Sequence, residues 1–265
     1  MKPNSLPATM FRFVVGLTVI SSSAWTHGQN KPLAVPVIVN SCPVLVAGKT
    51  PPVGFDVDLS QASYSIWTDG TGADQLKEQT RYVFHAENGK RSIDRIATLT
   101  ALQPVTFHDD KEGMLGIRIA HFLESATEKG GLFNDASGHP IKVAEGDNTG
   151  ATGVYRTSAG LTGDAAFGTR GAWCSLTGTT PEGKAETVVI LDNPKNPGFP
   201  SYWHARGYGL FAVNPLGDHI FDPKAPEHNF MIPQGQSATF RYRILLSSNA
   251  MTPQQVDAAE AAFAK

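Results

Sequence analysis

The chain has 265 residues, of which 41% are hydrophobic and 17% are charged, a balance that excludes a disordered protein and a coiled coil. Its 22 Lys and Arg residues against 24 Asp and Glu residues give a formal charge of −2. Without an excess of positive charge to neutralise phosphates, we expect no nucleic-acid partner. The 26 Gly and 18 Pro residues favour a turn-rich sheet protein over a helical bundle.

The first residues predict an export signal over residues 1–28. Lys2 and Arg12 precede the apolar run 13–20, and small residues follow at 21–24, the order found in secretory signal peptides. Eight apolar residues are too few to span a bilayer, which takes about 20. We therefore predict a periplasmic or secreted protein that has no membrane partner once the signal is removed.

The two cysteines leave two alternatives open. In an oxidising compartment Cys42 and Cys174 could form a disulfide, or they could remain two separate buried thiols. They lie too far apart in the chain to form a metal-ligand spacing.

The first half of the body predicts antiparallel strands. Residues 55–59 (FDVDL) alternate with the period of two of a half-buried strand. The Asn88–Gly89 pair is a strong hairpin turn between RYVFHAE and RSIDRIATLTAL. The segment 115–123 (LGIRIAHFL) predicts a strand with Arg118 on the face opposite its aliphatic side chains and His121 on the aliphatic face, as a core histidine.

The second half predicts further strands and one helix. Segments 172–178 and 187–194 form a hairpin pattern, and the apolar run 188–191 indicates a central strand covered on both faces. Residues 240–246 (FRYRILL) alternate as a late strand. Thr252 as N-cap, Pro253 and Gln255 predict a helix with a capping box. We predict an all-β antiparallel β-sandwich: a single domain over 29–250, followed by a C-terminal helix over 251–265.

The familiar catalytic motifs are missing. The sequence has no G-x-S-x-G, H-E-x-x-H, P-loop or dinucleotide-binding motif, and its histidines include no pair with helical ligand spacing. We predict no metal and no cofactor, although a sheet could still assemble His204, His219 and Asp222 around a metal.

The densest cluster of aromatic, basic and amide side chains lies in residues 193–223, which we expect to be loops and strand ends. Aromatic rings stack on sugars, Arg and Asn hydrogen-bond hydroxyl groups, and His exchanges protons near neutral pH. The predicted carbohydrate pocket contains Trp203, His204, Arg206, Tyr208 and Asn214. The alternative is that the aromatic residues close one end of the sandwich.

Three charged residues elsewhere are candidates for binding a small molecule or an oligosaccharide. Arg118 lies in mid-strand between small residues on its face, which leaves room for a ligand. Arg170 precedes AWCSL, and Glu112 precedes the strand of Arg118. The alternative for each is an ordinary surface charge. His108 is expected in a solvated turn.

Four segments carry a family resemblance. LTALQPVTFHDDKEGMLGIRIA, GTRGAWCSLTG, VVILDNPKNPGFPSYWHARGYGLFAVNPLG and IPQGQSATFRYRILL resemble the bacterial PmoA-like family, often labelled methane oxygenase PmoA. The resemblance covers roughly residues 55 to 250, and its most specific part is NPGFPSYWHARGYGLFAVNPLG. The label implies, as a weaker alternative, a metal-dependent oxygenase. The oxygenase it names is an integral membrane protein, however, whereas this sequence has no stretch long enough to span a membrane.

The resemblance implies an exported sandwich of the galactose-mutarotase-like supersandwich type that processes carbohydrate. It implies a lyase or hydrolase acting on oxidised (3-keto) glycosides, with His204 or Tyr202 as the base and Arg118 or Arg206 beside the oxyanion. Relatives usually have an H-P-H-H-R-G segment upstream, which this sequence lacks between His27 and His85. That departure keeps open a non-catalytic sugar-binding or structural sandwich.

Overall fold

The structure is a computed structural model that describes residues 59–87, 90–111, 113–126, 131–134, 140–143 and 148–265. These residues form fourteen strands and two α-helices. The strands are β1 Leu59–Thr68, β2 Asp74–Glu87, β3 Lys90–Ala101, β4 Val105–Phe107, β5 Leu115–Arg118, β6 Gly131–Asn134, β7 Pro140–Val143, β8 Val154–Thr157, β9 Trp173–Thr179, β10 Ala185–Asp192, β11 Tyr202–Ala205, β12 Leu210–Asn214, β13 Phe230–Ile232 and β14 Ser237–Ser247. The helices are α1 Asp218–Phe221 and α2 Pro253–Phe263, with short 3-10 turns at His121–Leu123 and Gly163–Ala166.

The main sheet has seven antiparallel strands in the order β1-β2-β3-β14-β10-β9-β8. A second, three-stranded sheet has the order β11-β12-β5, and β13-β4 and β6-β7 form two small pairs. All these pairings are antiparallel. The predicted all-β, sandwich-like fold with a short C-terminal helix is therefore confirmed.

The main core consists of apolar side chains from both large sheets. Leu99, Ile190 and Phe240 from the main sheet belong to the same buried cluster as Ile117 and Phe211 from the three-stranded sheet. Successive side chains of a strand point to opposite faces, so each strand of the smaller sheet also has a second face directed away from this core. The candidate site lies on that second face.

Helix α2 covers the other face of the main sheet. Val256 packs on Val189 and Leu191 in a second buried cluster, while Val188 and Ile190 face the main core. This confirms that the apolar run 188–191 is a central strand covered on both sides. The capping box is confirmed too, because Thr252 and Gln255 exchange side-chain to backbone hydrogen bonds at 2.9 and 3.3 Å.

The structure corrects two local predictions. The strand predicted over 115–123 ends at Arg118, where the chain turns into the 3-10 segment, and the His121 side chain is 61% exposed. His121 is therefore not a core histidine. Residues 202–205 and 210–214, expected as loops and strand ends, pair as the two strands β11 and β12.

Some predictions fall outside the described residues. These are the export signal at 1–28, most of the strand 55–59, Cys42 and the two turn residues Asn88 and Gly89. The hairpin itself is confirmed, since β2 and β3 pair from Leu76↔Ala101 to Glu87↔Lys90. Cys174 is a buried thiol. None of the helices in the described ranges has the length and apolar character of a membrane span.

A buried ion pair within the main sheet is hydrogen-bonded to the residue just before the site strand β5. Glu78 Oε1 accepts a hydrogen bond of 3.0 Å from Arg95 Nη2, and these side chains are only 8% and 2% exposed. Glu78 also accepts bonds from Thr80 Oγ1 and Trp67 Nε1. Arg95 Nη1 donates to the Met114 carbonyl at 3.3 Å, immediately before β5.

We expect Arg95→Met to lower the free energy of unfolding by about 3–5 kcal/mol, because it leaves the Glu78 carboxylate buried without its cation. The double variant Glu78→Met/Arg95→Met removes both charges and should recover most of that loss. Chemical denaturation of the three proteins measures the effect. A loss below about 1 kcal/mol in Arg95→Met would contradict this role of the pair.

Candidate functional site

Strand β11 directs its side chains alternately into the core and onto the second face of the small sheet. Trp203 and Ala205 belong to the main core, so Tyr202 and His204 lie on the opposite face. Arg118, at the end of β5, lies across from Leu210 of β12. The three-stranded sheet thereby brings His204 and Arg118 to one side, although they are far apart in the sequence.

His204 forms the central hydrogen bond of the site with Tyr208. Its Nε2 lies 2.7 Å from Tyr208 Oη, and its Nδ1 lies 3.4 Å from the Lys111 carbonyl oxygen. A carbonyl only accepts, so Nδ1 carries the hydrogen and the Nε2 of the neutral ring accepts from the Tyr208 hydroxyl. His204 is 2% exposed and Tyr208 is half-buried, so Tyr208 is the more accessible of the two side chains.

The turn between β11 and β12, residues 206–209, is held by hydrogen bonds to three of its carbonyl groups. Tyr155 Oη of β8 donates to the Arg206 carbonyl at 3.2 Å, and Arg118 Nη1 donates to the Tyr208 carbonyl at 3.3 Å. The Ile119 amide donates to the Gly209 carbonyl at 3.1 Å. These bonds fix the backbone from which the Tyr208 ring reaches His204.

Gly209 is required by this turn for two reasons. Its φ of +74° lies in the left-handed region that favours glycine. A Cβ at this position would also lie 2.6 Å from Glu124 Oε1. The buried Glu124 side chain, which bonds His121 Nδ1 at 2.9 Å, therefore packs directly beside the turn.

Positive charges surround the His204–Tyr208 pair. The Arg206 guanidinium lies 4.0 Å from the centre of the Phe167 ring, and that ring contacts the His204 ring edge-on with centroids 5.4 Å apart. The pKa of His204 is lowered to about 4, chiefly by burial and also by the nearby charges of Arg206, Lys111 and Arg118, against the opposing hydrogen bond to the Lys111 carbonyl. His204 is consequently neutral at pH 7.

Tyr202 and Arg170 lie beside the site, but their contacts hold neighbouring parts of the fold together. The Tyr202 ring stacks on Phe221 with centroids 5.0 Å apart, and the Arg170 guanidinium lies 4.4 Å from the Tyr202 ring centre. Arg170 also donates to the carbonyls of Gly198 and Pro200 and pairs with Asp218. The tyrosine that bonds His204 is thus Tyr208, whereas Tyr202 is covered by its neighbours and only 7% exposed.

Two residues that were predicted to contact a ligand, Trp203 and Asn214, are buried in the structure. Trp203 is fully buried in the main core, because the alternation along β11 places it on the face opposite His204. Asn214 is 1% exposed; it donates to the Asp110 carbonyl at 2.7 Å and accepts from the Leu216 amide at 2.9 Å. Asn214 therefore fixes the loop that carries Lys111. Glu112 lies outside the described residues.

Sequence reasoning missed three residues of the site. Phe167 follows the 3-10 turn at 163–166, in a stretch without periodicity, and Lys111 lies in a polar loop. Glu124 follows a short 3-10 segment. No local pattern distinguishes them, since each is placed by contacts with a distant part of the chain.

The alternative of a metal held by His204, His219 and Asp222 finds no supporting cluster of side chains in the described ranges. There, no three His, Cys, Asp or Glu side chains lie close enough together to hold a metal ion. His219 Nδ1 is instead bonded to the Ala225 carbonyl at 2.8 Å, and Asp222 caps the end of α1.

Comparison with known proteins identifies the family. The model of the family of unknown function DUF6807 matches residues 56–261, and the chain belongs to this family. No curated protein and no solved structure matches the chain.

We expect His204 to make folding stability depend on pH. Its folded pKa of about 4 is below the ordinary value of 6.5, so the unfolded chain binds more protons between these values and stability is lost as the pH falls from 6.5 towards 4. Between pH 7 and pH 4.5 this loss should reach about 2–3 kcal/mol.

Denaturation of the wild type and of His204→Gln at the two pH values measures this contribution. The variant should lose less stability on acidification, by that same amount. His108→Gln, which changes an exposed histidine, is the matched control and should behave like the wild type. An equal loss in wild type and His204→Gln would contradict a buried, neutral His204.

Proposed function

We propose that this member of DUF6807 is an exported carbohydrate-active protein, a lyase or hydrolase that acts on 3-keto-glycosides. The observation that carries the proposal is the 2.7 Å hydrogen bond between His204 and Tyr208, with Arg118 and Arg206 beside it. The resemblance of residues 188–217 to PmoA-like proteins supports a carbohydrate substrate. The signal-like residues 1–28 support export to the periplasm or the medium.

The chemistry of a 3-keto-glycoside suits a tyrosine–histidine pair. The hydrogen on carbon 2 is acidic, because its removal gives an enolate delocalised onto the 3-carbonyl oxygen. The enolate then reforms the carbonyl while the carbon 1–oxygen bond breaks, which releases the aglycone and leaves an unsaturated keto sugar. The proton taken from carbon 2 passes to the departing aglycone oxygen. Addition of water to the unsaturated sugar completes a hydrolysis.

The burial of the two rings assigns their roles in this proposal. His204 is too buried to contact a sugar, so Tyr208 Oη takes the proton from carbon 2 while its own proton moves to His204 Nε2. Tyr208 thereby replaces Tyr202 as the tyrosine candidate for the base. The proton returns along the same path to the leaving oxygen.

The two arginines would stabilise the charge that develops on the substrate. Arg118 is fixed by its bond to the Tyr208 carbonyl, and Arg206 is fixed by stacking on Phe167. A positioned guanidinium near the 3-carbonyl oxygen stabilises an enolate more than the neutral ketone, which is the difference that accelerates the reaction.

The deep burial of His204 favours a second candidate, a non-catalytic sugar-binding sandwich. In that case Tyr208, Arg118 and Arg206 would only hydrogen-bond a sugar, and His204 would only orient Tyr208. Removing the Tyr208 hydroxyl would then weaken binding without affecting a turnover number.

The test is hydrolysis or elimination of methyl 3-keto-glucopyranosides, as α and β anomers, by the purified protein. Tyr208→Phe should reduce kcat by about 10²–10⁴-fold, since it removes the group that transfers the proton. Tyr64→Phe, which removes an exposed hydroxyl on β1, is the matched control and should retain full activity. Wild-type turnover that survives in Tyr208→Phe would contradict the proposed mechanism, and no turnover of either anomer would favour the binding protein.

A further inference from the structure

The two site arginines differ from three other arginines in how their charges are compensated. Three of the arginines that brace the fold each have a carboxylate partner. These pairs are Arg95–Glu78, Arg170–Asp218 and Arg243–Asp94. No carboxylate in the part of the chain that the structure describes forms an ion pair with Arg118 or Arg206. Within the described ranges, the fold thus places two guanidinium groups that lack a carboxylate partner next to Tyr208.

Both guanidinium groups are held in place by contacts that leave some of their hydrogen-bond donors available. Arg118 is half-buried and donates through Nη1 to the Tyr208 carbonyl, one of the five N–H bonds of a guanidinium. Arg206 is exposed and its guanidinium lies over the Phe167 ring, a cation–π contact that does not use its N–H bonds as hydrogen-bond donors to a carboxylate. Each group retains donors with the geometry that suits a carboxylate or a sulfate.

Among the described residues, the nearby Glu124 carboxylate pairs with His121 and with neither arginine. It is buried beside Gly209 and bonded to His121 Nδ1 at 2.9 Å. The charges that act on His204 come from Arg206, Lys111 and Arg118, and each of them is positive. The nearby charges that shift the pKa of His204 are therefore all positive.

From this arrangement we infer that the sugar bound beside Tyr208 carries an anionic substituent, a carboxylate or a sulfate, which pairs with Arg118 and Arg206. The inference rests on the proposed function and specifies its substrate class as acidic glycosides. Neutral glycosides would leave the two guanidinium groups without a charged partner in the complex.

An anionic substrate would also prepare the site for proton transfer. The three cations favour neutral His204 over its protonated form, which opposes the transfer of the Tyr208 proton. A bound anion offsets these charges and raises the pKa of His204. Substrate binding would thus make the histidine a stronger base in the complex than in the free protein.

The experiment compares three probes that differ only at carbon 6: methyl β-D-glucuronide, the 6-sulfate of methyl β-D-glucoside, and methyl β-D-glucoside itself. Titration calorimetry with the full chain, at low and at physiological salt, gives the three affinities. At least one acidic probe should bind about 10-fold or more tightly than the neutral glucoside, and higher salt should reduce this difference. The two acidic probes distinguish a carboxylate from a sulfate.

Variants assign the effect to the arginines. Arg206→Gln and Arg118→Gln should each remove most of the preference, because each should lower the affinity for the acidic probe by a larger factor than the affinity for the neutral glucoside. If Arg118→Gln folds poorly, Arg118→Lys takes its place in the test. This variant keeps the charge and should retain part of the preference for the acidic probe. Arg81→Gln, at an exposed position of β2, is the matched control and should keep the full preference.

The outcomes separate this inference from the proposed function. Equal affinity for neutral and acidic probes overturns the inference, while turnover of neutral 3-keto-glycosides would still support the enzyme. A preference for an acidic probe that the arginine variants abolish supports the inference, even if no 3-keto-glycoside is turned over and the enzyme proposal fails. Binding of no probe overturns the inference, and a preference that survives in both glutamine variants overturns its assignment to these arginines.

Discussion

The hydrogen bond between Tyr208 and His204 depends on the position of one short turn. Residues 206–209 leave β11 and enter β12, and three of their carbonyl groups are bonded from outside the turn by Tyr155, Arg118 and Ile119. Tyr155 comes from the main sheet, whereas the other two donors come from β5 and the residue after it. The tyrosine therefore reaches the histidine only when the two sheets have packed together, and this dependence links the chemistry of the site to the whole sandwich.

Burial determines the protonation state of His204 in the hydrogen-bonded pair. A histidine on the surface is partly protonated near neutral pH, but His204 lies beneath Tyr208 and Phe167 and next to cations, so its ring is neutral and accepts the tyrosine proton in a hydrogen bond. The same surroundings make it a weak base in the free protein. The inferred anionic ligand would supply negative charge to this site. It would thereby connect Arg118 and Arg206, which have no carboxylate partner among the described residues, with the chemistry proposed for the pair.

Local patterns in the sequence were sufficient for most of the fold. The apolar run 188–191 predicted a strand covered on both faces, and Thr252 with Gln255 predicted the helix start, because both signals lie within a few residues. His121 was misplaced, since the strand that begins at Leu115 ends after four residues, where the chain turns into a 3-10 segment. Strand periodicity cannot show where tertiary contacts end a strand.

The candidate site was predictable only in part. The sequence singles out the residues around position 204 as a candidate site, and Arg118 lies on the face away from the aliphatic side chains, as predicted. Trp203 and His204, however, are neighbours on opposite faces, and the sequence does not say which face is the core. Nor could it choose Tyr208 over Tyr202 as the partner of His204, because this depends on the β11–β12 pairing and on bonds from distant strands. The most direct test is a long-range ¹H–¹⁵N NMR spectrum that observes the His204 ring from pH 7 to pH 5. This account predicts a neutral ring protonated on Nδ1 throughout that range, whereas a ring protonated on Nε2, or one that titrates near 6.5, would contradict it.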